Sequence, residues 1–322
     1  MDRQRALGVI LIVVSACGFG SGALFAKPIY AAGVDWMTLL AWRFLFAAAL
    51  SWGWLLLFRD QRRALRLMSR RRLTVLVLLG ILYMGNSGTY FAGLETVSAS
   101  LAALIVYLYP ALVAVISIRF ARRLEGRRAW AGLALATAGV ALAVGGIDPN
   151  AAPPLAGLLL IVASPLIYAV WIILAARLSG ERAAAPPYDS ETTIEVETAD
   201  AAPTAAVMLS ATAIAWWAAA LLSGRALAPW EIPSDAWWAL LGLGIVATAV
   251  AIQTFYAGAR RIGAAQASLV STVEPIYTIT LAALLFGETL TPIQLLGGMM
   301  VIIGVIAAQI GRTTQTMEAQ TA

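Results

Sequence analysis

The chain has 322 residues, of which 61% are hydrophobic and only 12% are charged, and its formal net charge is +5. Since a soluble domain carries roughly 25% charged residues, this composition excludes a soluble globular protein and predicts that lipid is the main solvent. A single cysteine and the lack of histidine exclude a disulfide framework, a cysteine-based metal cluster and most histidine-dependent catalysis. We therefore expect no metal and no cofactor.

Ten segments are apolar over the roughly 20 residues that a helix needs to cross the hydrocarbon of a bilayer. In chain order they cover residues 6–26, 36–58, 73–93, 97–119, 129–147, 155–177, 204–224, 236–258, 264–287 and 291–311. The first segment has no convincing cleavage site and a second follows closely, so we interpret it as a retained helix and not as a secretory signal. The prediction is an all-α integral membrane protein with ten transmembrane helices.

The basic residues predict the orientation of these helices. If the N-terminus is cytoplasmic, nineteen Lys and Arg side chains fall on the inner side and two, Lys27 and Arg225, fall on the outer side. The positive-inside rule then places both termini in the cytoplasm, and we expect a multi-pass protein of the bacterial inner membrane. Because these charges lie in short loops beside apolar segments, they do not indicate a nucleic-acid partner.

Part of the chain is repeated 165 residues further on, since residues 89–143 align without a gap on residues 254–308. The charges near the ends of the repeat are reversed between the copies. The reversed pairs are Glu95 with Arg260 and Arg123 with Glu288. This reversal predicts two five-helix halves inserted with opposite orientation, an arrangement that belongs above all to membrane transporters.

The repeat also predicts the domain organisation. Residues 1–147 form the first repeat and residues 148–311 the second, and residues 312–322 form a cytoplasmic tail. Within the second repeat, residues 178–204 are rich in acidic residues and proline and poor in large apolar ones. Such a segment cannot bury enough surface to offset its ordering entropy, which predicts a flexible cytoplasmic linker. An acidic regulatory segment is the alternative.

One carboxylate stands out inside the predicted spans. Glu274 lies ten residues into the ninth segment, roughly 15 Å deep at 1.5 Å per residue, and an ionisable group at that depth is a functional hypothesis by default. Pro275 follows it, and the equivalent Pro110 follows Tyr109. Proline removes a helix hydrogen bond, so we expect both helices to bend at the same depth. Three tyrosines lie around the two bends: Tyr107, Tyr109 and Tyr277. This pattern predicts a transport site, and the alternative is that the prolines only shape the bundle and the tyrosines only pack.

Other polar side chains within the apolar segments have two interpretations each. Arg43 binds a substrate carboxylate or forms a structural pair. Lys27, the only lysine, attracts anions to the outer mouth or holds the first loop near Asp35. Asn86 and Gln253 contact substrate or connect neighbouring helices.

The chemistry that is missing narrows the function. Without a GxxxxGK sequence the chain has no Walker-type nucleotide site, and without a filter-like sequence it does not look like a selective channel. The sequence offers few candidate catalytic side chains, which disfavours an enzyme. A solute carrier therefore fits best. The alternatives are a channel-like facilitator, a membrane scaffold or an enzyme. Tyr90, Tyr168 and Trp171 near the expected cavity favour an apolar or aromatic solute.

Several motifs resemble the EamA family of the drug/metabolite transporter superfamily. The matching stretches are residues 93–104, Tyr109-Pro110-Ala111-Leu112, Glu274-Pro275-Ile276, residues 286–291, residues 294–297, Lys27 and Arg43-Phe44. The resemblance covers nearly the whole chain except the linker, and it departs at residues 122–125, where the usual Gly-Glu pair is absent.

The resemblance implies ten helices in two inverted five-helix repeats around a cavity that opens alternately to each side. It implies a secondary transporter of small organic solutes such as amino acids or related metabolites, and we expect export. Substrate contacts are expected from the polar and aromatic residues already named: Glu274, Tyr109, Tyr107, Tyr277, Asn86, Tyr90, Arg43, Trp171 and Gln253. Proton coupling at Glu274 and the oligomeric state stay open at this point.

Overall fold

A computed structural model describes residues 3–109, 111–113, 127–145, 152–178, 201–262 and 270–321, together with residues 116 and 267. Twelve α-helices make up most of this part of the chain, and the described residues contain no β-strand. The helices are α1 (Arg3–Ala31), α2 (Trp36–Leu57), α3 (Arg59–Leu67), α4 (Arg70–Leu94), α5 (Ala99–Val106), α6 (Arg127–Gly145), α7 (Leu155–Leu178), α8 (Ala201–Leu222), α9 (Trp237–Gly244), α10 (Ala251–Ile262), α11 (Val273–Phe286) and α12 (Pro292–Thr321). A π-helical stretch, Ile245–Val250, joins α9 to α10.

The apolar helices fall into two groups by length. Six are long and apolar enough to cross a membrane, and four shorter apolar helices accompany them among the described residues. The long ones are Arg3–Ala31, Trp36–Leu57, Arg70–Leu94, Leu155–Leu174, Ala202–Leu222 and Ser234–Ala259, and the short ones are Ala99–Val113, Trp130–Ala143, Val273–Phe286 and Pro292–Ala307. The protein is therefore an all-helical bundle with the composition of a multi-pass membrane protein.

Two predicted spans differ from the structure in their interiors. The fourth is interrupted by a turn at Tyr107 and Leu108, and the helix bounds of the ninth begin only at Val273, after a turn at Ser271 and Thr272. Pro275 therefore occupies the first turn of α11, where its missing N–H costs no helix hydrogen bond, instead of kinking a continuous helix. Pro110, most of residues 114–126 and the linker residues 179–200 lie outside the described residues.

Two further features were not expected from the sequence. The short helix α3 lies between the second and third predicted spans, and α12 continues past residue 311 to Thr321, through most of the predicted tail. The side of the bundle where α1 ends is called here the Lys27 end. The opposite side, where α1 begins and α3 lies, is the Arg59 end.

Side-chain caps fix several helix starts at the Lys27 end. Asp35 accepts hydrogen bonds from the backbone N–H groups of Met37 and Thr38 at the start of α2, and Ser98 accepts one from Leu101 at the start of α5. Such caps satisfy the orphan N–H groups of a first helical turn. At the end of α11, Gly287 adopts φ of 65°, a left-handed conformation that glycine adopts without strain.

Two pairs of helices pack through matching residues. In the pair α4 and α7, a Cβ placed on Gly93 would lie 2.7 Å from Ile161 and 2.8 Å from the carbonyl oxygen of Gly157. In the pair α10 and α1, a Cβ on Gly258 would lie 2.7 Å from Ile12 and 2.9 Å from the carbonyl oxygen of Gly8. Gly258 is the repeat mate of Gly93, so the same contact is built twice.

The polar contacts of these two helix pairs match as well. Ser15 in α1 donates to the carbonyl oxygen of Ala251 at 2.7 Å. At the corresponding place in the other pair, the Asn86 amide donates to the carbonyl oxygen of Ser164 at 3.2 Å and to its hydroxyl at 3.0 Å. Asn86 is the repeat mate of Ala251. The geometry therefore places Asn86 in a contact between helices, the structural one of its two expected roles.

The last helices of the two repeats pack against each other through repeated glycines. A Cβ on Gly139 in α6 would lie 2.5 Å from the carbonyl oxygen of Gly297 in α12, and a Cβ on Gly304 would lie 2.5 Å from that of Gly132. Gly132 and Gly139 of α6 therefore contact Gly304 and Gly297 of α12, respectively. Because residue numbers rise along one helix as they fall along the other, these equivalent helices are antiparallel. Small residues permit this close backbone approach in lipid, where helix association depends on packing.

Gly139→Ala is expected to destabilise the protein by about 1–3 kcal/mol, the usual cost of overpacking. The added methyl group would press on the backbone carbonyl of Gly297, which cannot rotate away as a side chain can. Thermal unfolding in detergent measures the effect. Gly53→Ala is the matched control, because Gly53 also lies inside a helix but has open space around its Cβ position. Equal stability of the two variants would contradict the close α6–α12 contact.

Candidate functional site

Glu274 is held where α11 begins and crosses α1. The hydroxyl of Thr278 lies 3.0 Å from the carbonyl oxygen of Glu274 and 3.0 Å from that of Gly20 in α1. A Cβ on Gly20 would lie only 2.6 Å from the Thr278 hydroxyl, so glycine is what allows the two helices to meet here. The crossing fixes the backbone of Glu274, and the N-terminal end of a helix is favourable for a negative charge.

The Glu274 side chain is only partly buried, and it faces polar groups from several helices. Its carboxylate interacts electrostatically with the Cys17 thiol and with the hydroxyls of Tyr83, Tyr90, Tyr107 and Tyr109. Within the described part of the chain, no Lys or Arg forms an ion pair with it and no side chain donates a hydrogen bond to it. A carboxylate inside the bundle without a cation is suited to bind one.

A continuous aromatic cluster extends from the tyrosines beside Glu274. Tyr109 contacts Tyr107 with ring centroids 6.1 Å apart and Tyr168 with centroids 4.9 Å apart. Tyr168 stacks on Trp171 at 5.9 Å, and Trp171 lies 5.2 Å from Tyr83. These five side chains are called the aromatic cluster. It joins residues from α4, α7 and the turn after α5.

Arg43 in α2 is the other charged group at this level of the bundle. Its side chain is 8% exposed, its Nε donates to the Thr248 hydroxyl at 2.9 Å, and its guanidinium lies 4.7 Å from the ring centroid of Phe91. Thr248 belongs to the π-helical stretch and itself donates to the carbonyl oxygen of Leu243 at 2.8 Å. Such π-helical turns occur frequently at functional sites. Here the turn supplies the acceptor that orients Arg43.

Most of the hydrogen-bonding capacity of Arg43 is unused. A guanidinium carries five N–H donors, and the Nε bond is the one that Arg43 makes to a described residue. No carboxylate in the described part of the chain pairs with it. A buried guanidinium stays charged, so it needs an anion or water for the remaining donors. The two Nη groups are thus available to a ligand.

Two tyrosines of α4 connect the environments of Arg43 and Glu274. Tyr83 and Tyr90 each interact electrostatically with both the guanidinium and the carboxylate. Arg43 and Glu274 themselves form no ion pair. The site therefore has a positive and a negative group with two tyrosines of α4 in common, and neither charge is paired with a described side chain of opposite sign.

Three other predicted site residues differ in whether their polar groups have hydrogen-bond partners: Trp171, Tyr277 and Gln253. The Trp171 indole donates to the carbonyl oxygen of Leu79 at 2.8 Å, and the Tyr277 hydroxyl lies 3.0 Å from that of Ser21. The Nε2 group of Gln253 is buried and has no hydrogen-bond partner among the described residues. An unpartnered buried donor costs about 1–3 kcal/mol, so the Gln253 amide is suited to a ligand or a water.

The Lys27 end is held together by a corner between α4 and α5, residues 94–100. The Lys27 ammonium donates to the carbonyl oxygens of Leu94 at 3.0 Å and Val97 at 2.6 Å. Glu288, which follows α11, accepts from the backbone N–H groups of residues 99 and 100 at 2.9 and 2.8 Å. Two charged side chains from other helices thus fix this corner.

Neither role expected for Lys27 is the one that the structure shows. Asp35 lies instead beside Arg225, at 3.7 Å from its Nε, and caps α2. Lys27 reaches the last carbonyl of α4, that of Leu94, and the carbonyl of Val97 just beyond it. This is a favourable position for a cation because the C-terminal end of a helix is partially negative.

Lys27→Met is expected to destabilise the protein by about 3–6 kcal/mol, since two carbonyls lose a charged donor and such bonds contribute about 1.5–3 kcal/mol each. Thermal unfolding in detergent tests this. Arg225→Gln at the same end is the control. It removes an exposed ion pair of 3.7 Å, a type that is typically worth less than about 1 kcal/mol. If both variants unfold at the wild-type temperature, the bonds from Lys27 do not stabilise the corner.

Sequence reasoning missed three residues of this region. Tyr83 was not singled out, because one aromatic residue in an apolar helix does not differ in sequence from a lipid-facing one. Thr248 gave no signal, since a π-helical turn has no sequence pattern that we could detect. Glu288 was noticed for its reversed charge and as part of the motif at residues 286–291, but no contact was predicted for it. A metal site is not indicated, because no group of three metal-ligating side chains occurs among the described residues.

Comparisons with known proteins agree with this architecture. The sequence pattern of the EamA-like transporter family matches residues 6–145 and 193–308. An uncharacterized transporter of Archaeoglobus fulgidus is 38% identical over 72 residues, which are 22% of this chain and 27% of the relative. The aligned stretch thus spans about a quarter of that relative.

A solved structure, described as a crystal structure of a protein, has the same fold. It superimposes with a TM-score of 0.62 at 20% identity and covers 95% of this chain and 98% of its own. At this level of identity the likeness concerns the fold alone.

Proposed function

Because the chain belongs to the EamA-like transporter family, we propose that it is a secondary transporter of a small zwitterionic organic solute, an amino acid or a related metabolite. Arg43 binds the carboxylate of the solute and Glu274 binds its amine. The single observation that carries the proposal is that Arg43 and Glu274, both inside the bundle, have no charged partner among the described residues. An Arg–carboxylate contact is frequently bidentate, which adds specificity to charge.

The aromatic cluster sets the kind of side chain that the solute carries. Its five rings form a continuous apolar surface, and aromatic pairs stabilise one another by about 0.5–1.5 kcal/mol beyond the area that they bury. An apolar or aromatic side chain of the solute lies against this surface. Four aromatic residues contact this side chain of the solute: Tyr107, Tyr109, Tyr90 and Trp171. Gln253 and Tyr277 line the binding site of the solute. Asn86 holds α4 on α7.

Transport proceeds by alternating access between two inverted repeats, residues 1–147 and 148–311, each with five transmembrane helices. The antiparallel glycine contact between α6 and α12 supports this arrangement, as do the matching pairs α1–α10 and α4–α7. The helix interruptions before Tyr109 and Glu274 lie at nearly equivalent repeat positions, and interrupted helices at corresponding places typically form the binding site of such transporters. Rocking of one half against the other exposes the site to each side in turn.

The orientation and direction are parts of the same proposal. Both termini are cytoplasmic in the bacterial inner membrane, as the distribution of basic residues favours, and the solute moves outward. Glu274 alternates between the amine of the solute and a proton, which would couple transport to the proton gradient. The acidic residues between α7 and α8, 179–200, lie on the cytoplasmic side in this orientation.

Counterflow in proteoliposomes tests the proposed function, with radiolabelled phenylalanine as the first probe because it combines a zwitterion with an aromatic side chain. Saturable exchange against unlabelled phenylalanine trapped inside is the expected result. Conductance without trans-stimulation would indicate a channel. No uptake of any amino acid above that of empty liposomes would contradict the proposal.

A further inference from the structure

The short helix α3 (Arg59–Leu67) has two different faces. Gln61, Ala64, Leu65 and Met68 are partly buried, and α3 contacts α2 and α8. These positions recur at three- and four-residue spacing, which puts them on one side of a helix. The helix therefore lies flat against the bundle at the Arg59 end, and its other side is turned away from the protein.

Four arginines lie on the other side of α3, three of them exposed and the fourth, Arg62, partly buried at its edge. Arg59, Arg62, Arg63 and Arg66 follow the spacing i, i+3, i+4 and i+7, which brings them together on one helix face. They line a half-open pocket of about 420 Å³. The positive-inside rule accounts for basic residues at this end but does not require them to surround a single pocket.

The four guanidinium groups have no anionic partner in the described part of the chain. None of them forms an ion pair or a side-chain hydrogen bond with a described residue, although Asp60 is adjacent in sequence. Like charges on one helix face repel each other. A bound anion would relieve this repulsion, and guanidinium groups match the geometry of phosphate oxygens.

The surroundings of the pocket favour a lipid over a free anion. Leu57 and Phe58, directly before α3, are 76% and 45% exposed, and Leu67 at its end is 75% exposed. Phe58 also packs on the exposed Trp54, with ring centroids 4.7 Å apart. Apolar side chains thus border the arginines at both ends of α3. A free phosphate would use only the arginines, whereas a phospholipid uses both surfaces.

We propose that the pocket of Arg59, Arg62, Arg63 and Arg66 binds the headgroup of an anionic phospholipid, whose acyl chains lie against Leu57, Phe58 and Leu67. Basic clusters next to the membrane commonly recognise anionic lipids in this way. Such a lipid would hold α3 at the membrane surface beside the Arg59 ends of α2 and α8. The proposal does not depend on which solute the protein transports.

Binding of short-chain dioctanoyl phosphatidylglycerol to the full-length protein in neutral detergent tests the proposal, with dioctanoyl phosphatidylcholine measured in parallel. We expect phosphatidylglycerol to bind more than a hundredfold more tightly, since the four arginines contribute about fivefold each. Replacing all four arginines by Gln should weaken it by about fivefold for each arginine, hence more than a hundredfold, and leave phosphatidylcholine binding unchanged. Thermal unfolding of the variant verifies that it is folded.

A matched control carries the same loss of charge elsewhere. Arg3, Arg5, Arg70 and Arg71 are exposed basic residues outside the pocket lining. Their joint replacement by Gln should leave the affinity for phosphatidylglycerol within about threefold, because they do not line the pocket and exposed charges are screened by salt. Equal losses in the two variants would show diffuse attraction and overturn the pocket. Equal affinity for the two lipids would overturn it as well, and so would competition by inorganic phosphate at concentrations equal to those of the lipid.

Discussion

Arg43→Gln is expected to lower the affinity for a zwitterionic solute by about a hundredfold, seen as a raised half-saturation concentration of phenylalanine counterflow. The substitution removes the two Nη donors, and hydrogen bonds to a charged group contribute about 1.5–3 kcal/mol each, while every 1.4 kcal/mol is a factor of about ten. Thermal unfolding of the same preparation separates this loss from a failure to fold.

Two further variants test whether Arg43 binds the carboxylate of the solute or only stabilises the packing of the helices. Arg43→Lys keeps the charge but loses the fork of donors, so it should bind more weakly than wild type and better than Arg43→Gln. Thr248→Val removes the acceptor that orients Nε and should weaken binding less than Arg43→Gln does. If Arg43→Gln keeps wild-type counterflow, Arg43 is a structural residue and the proposed carboxylate contact is wrong.

Glu274→Gln is expected to reduce phenylalanine counterflow by about tenfold to a hundredfold. The amide keeps the size of the side chain but cannot neutralise an ammonium group, and the lost charge-assisted bond is worth about 1.5–3 kcal/mol. If Glu274 also carries the coupled proton, uptake driven by a pH gradient should disappear in this variant, while the residual counterflow loses its dependence on pH. Both are measured in the same proteoliposomes.

Asp235→Asn is the matched control for Glu274→Gln. Asp235 is an exposed carboxylate in a short 3₁₀ turn before α9, so its replacement should change neither the rate nor the pH dependence. Unchanged counterflow and unchanged pH dependence in Glu274→Gln would remove Glu274 from both proposed roles.

The sequence predicted the all-helical membrane fold because composition and apolar length depend on local properties of the chain. The repeated glycines were visible as well: Gly132, Gly139, Gly297 and Gly304 recur at the 165-residue spacing and lie in the α6–α12 contact. The match between α1 and α7 was missed. Their equivalent residues are 149 apart, as for Gly8 and Gly157, so the single ungapped alignment did not include them.

The details of the site depended on contacts that sequence spacing does not contain. Glu274 and Arg43 were recognisable as charges in apolar segments, but their common neighbour Tyr83 lies on a third helix. Lys27 was identified as an exception to the charge rule, yet its acceptors are backbone carbonyls at the end of α4 and in the corner after it, which have no sequence signature. The position of Pro275 in a first turn also depended on where the helix begins.

The central claim is that Arg43 and Glu274 bind opposite ends of one zwitterion, and competition by phenylalanine analogues tests it most directly. Phenethylamine lacks the carboxylate and 3-phenylpropionate lacks the amine. Wild type should prefer phenylalanine to both analogues. Arg43→Gln should lose its preference over phenethylamine only, and Glu274→Gln its preference over 3-phenylpropionate only. If both variants keep the wild-type order of inhibition, or if each loses both preferences equally, the two residues do not recognise the two ends of the solute.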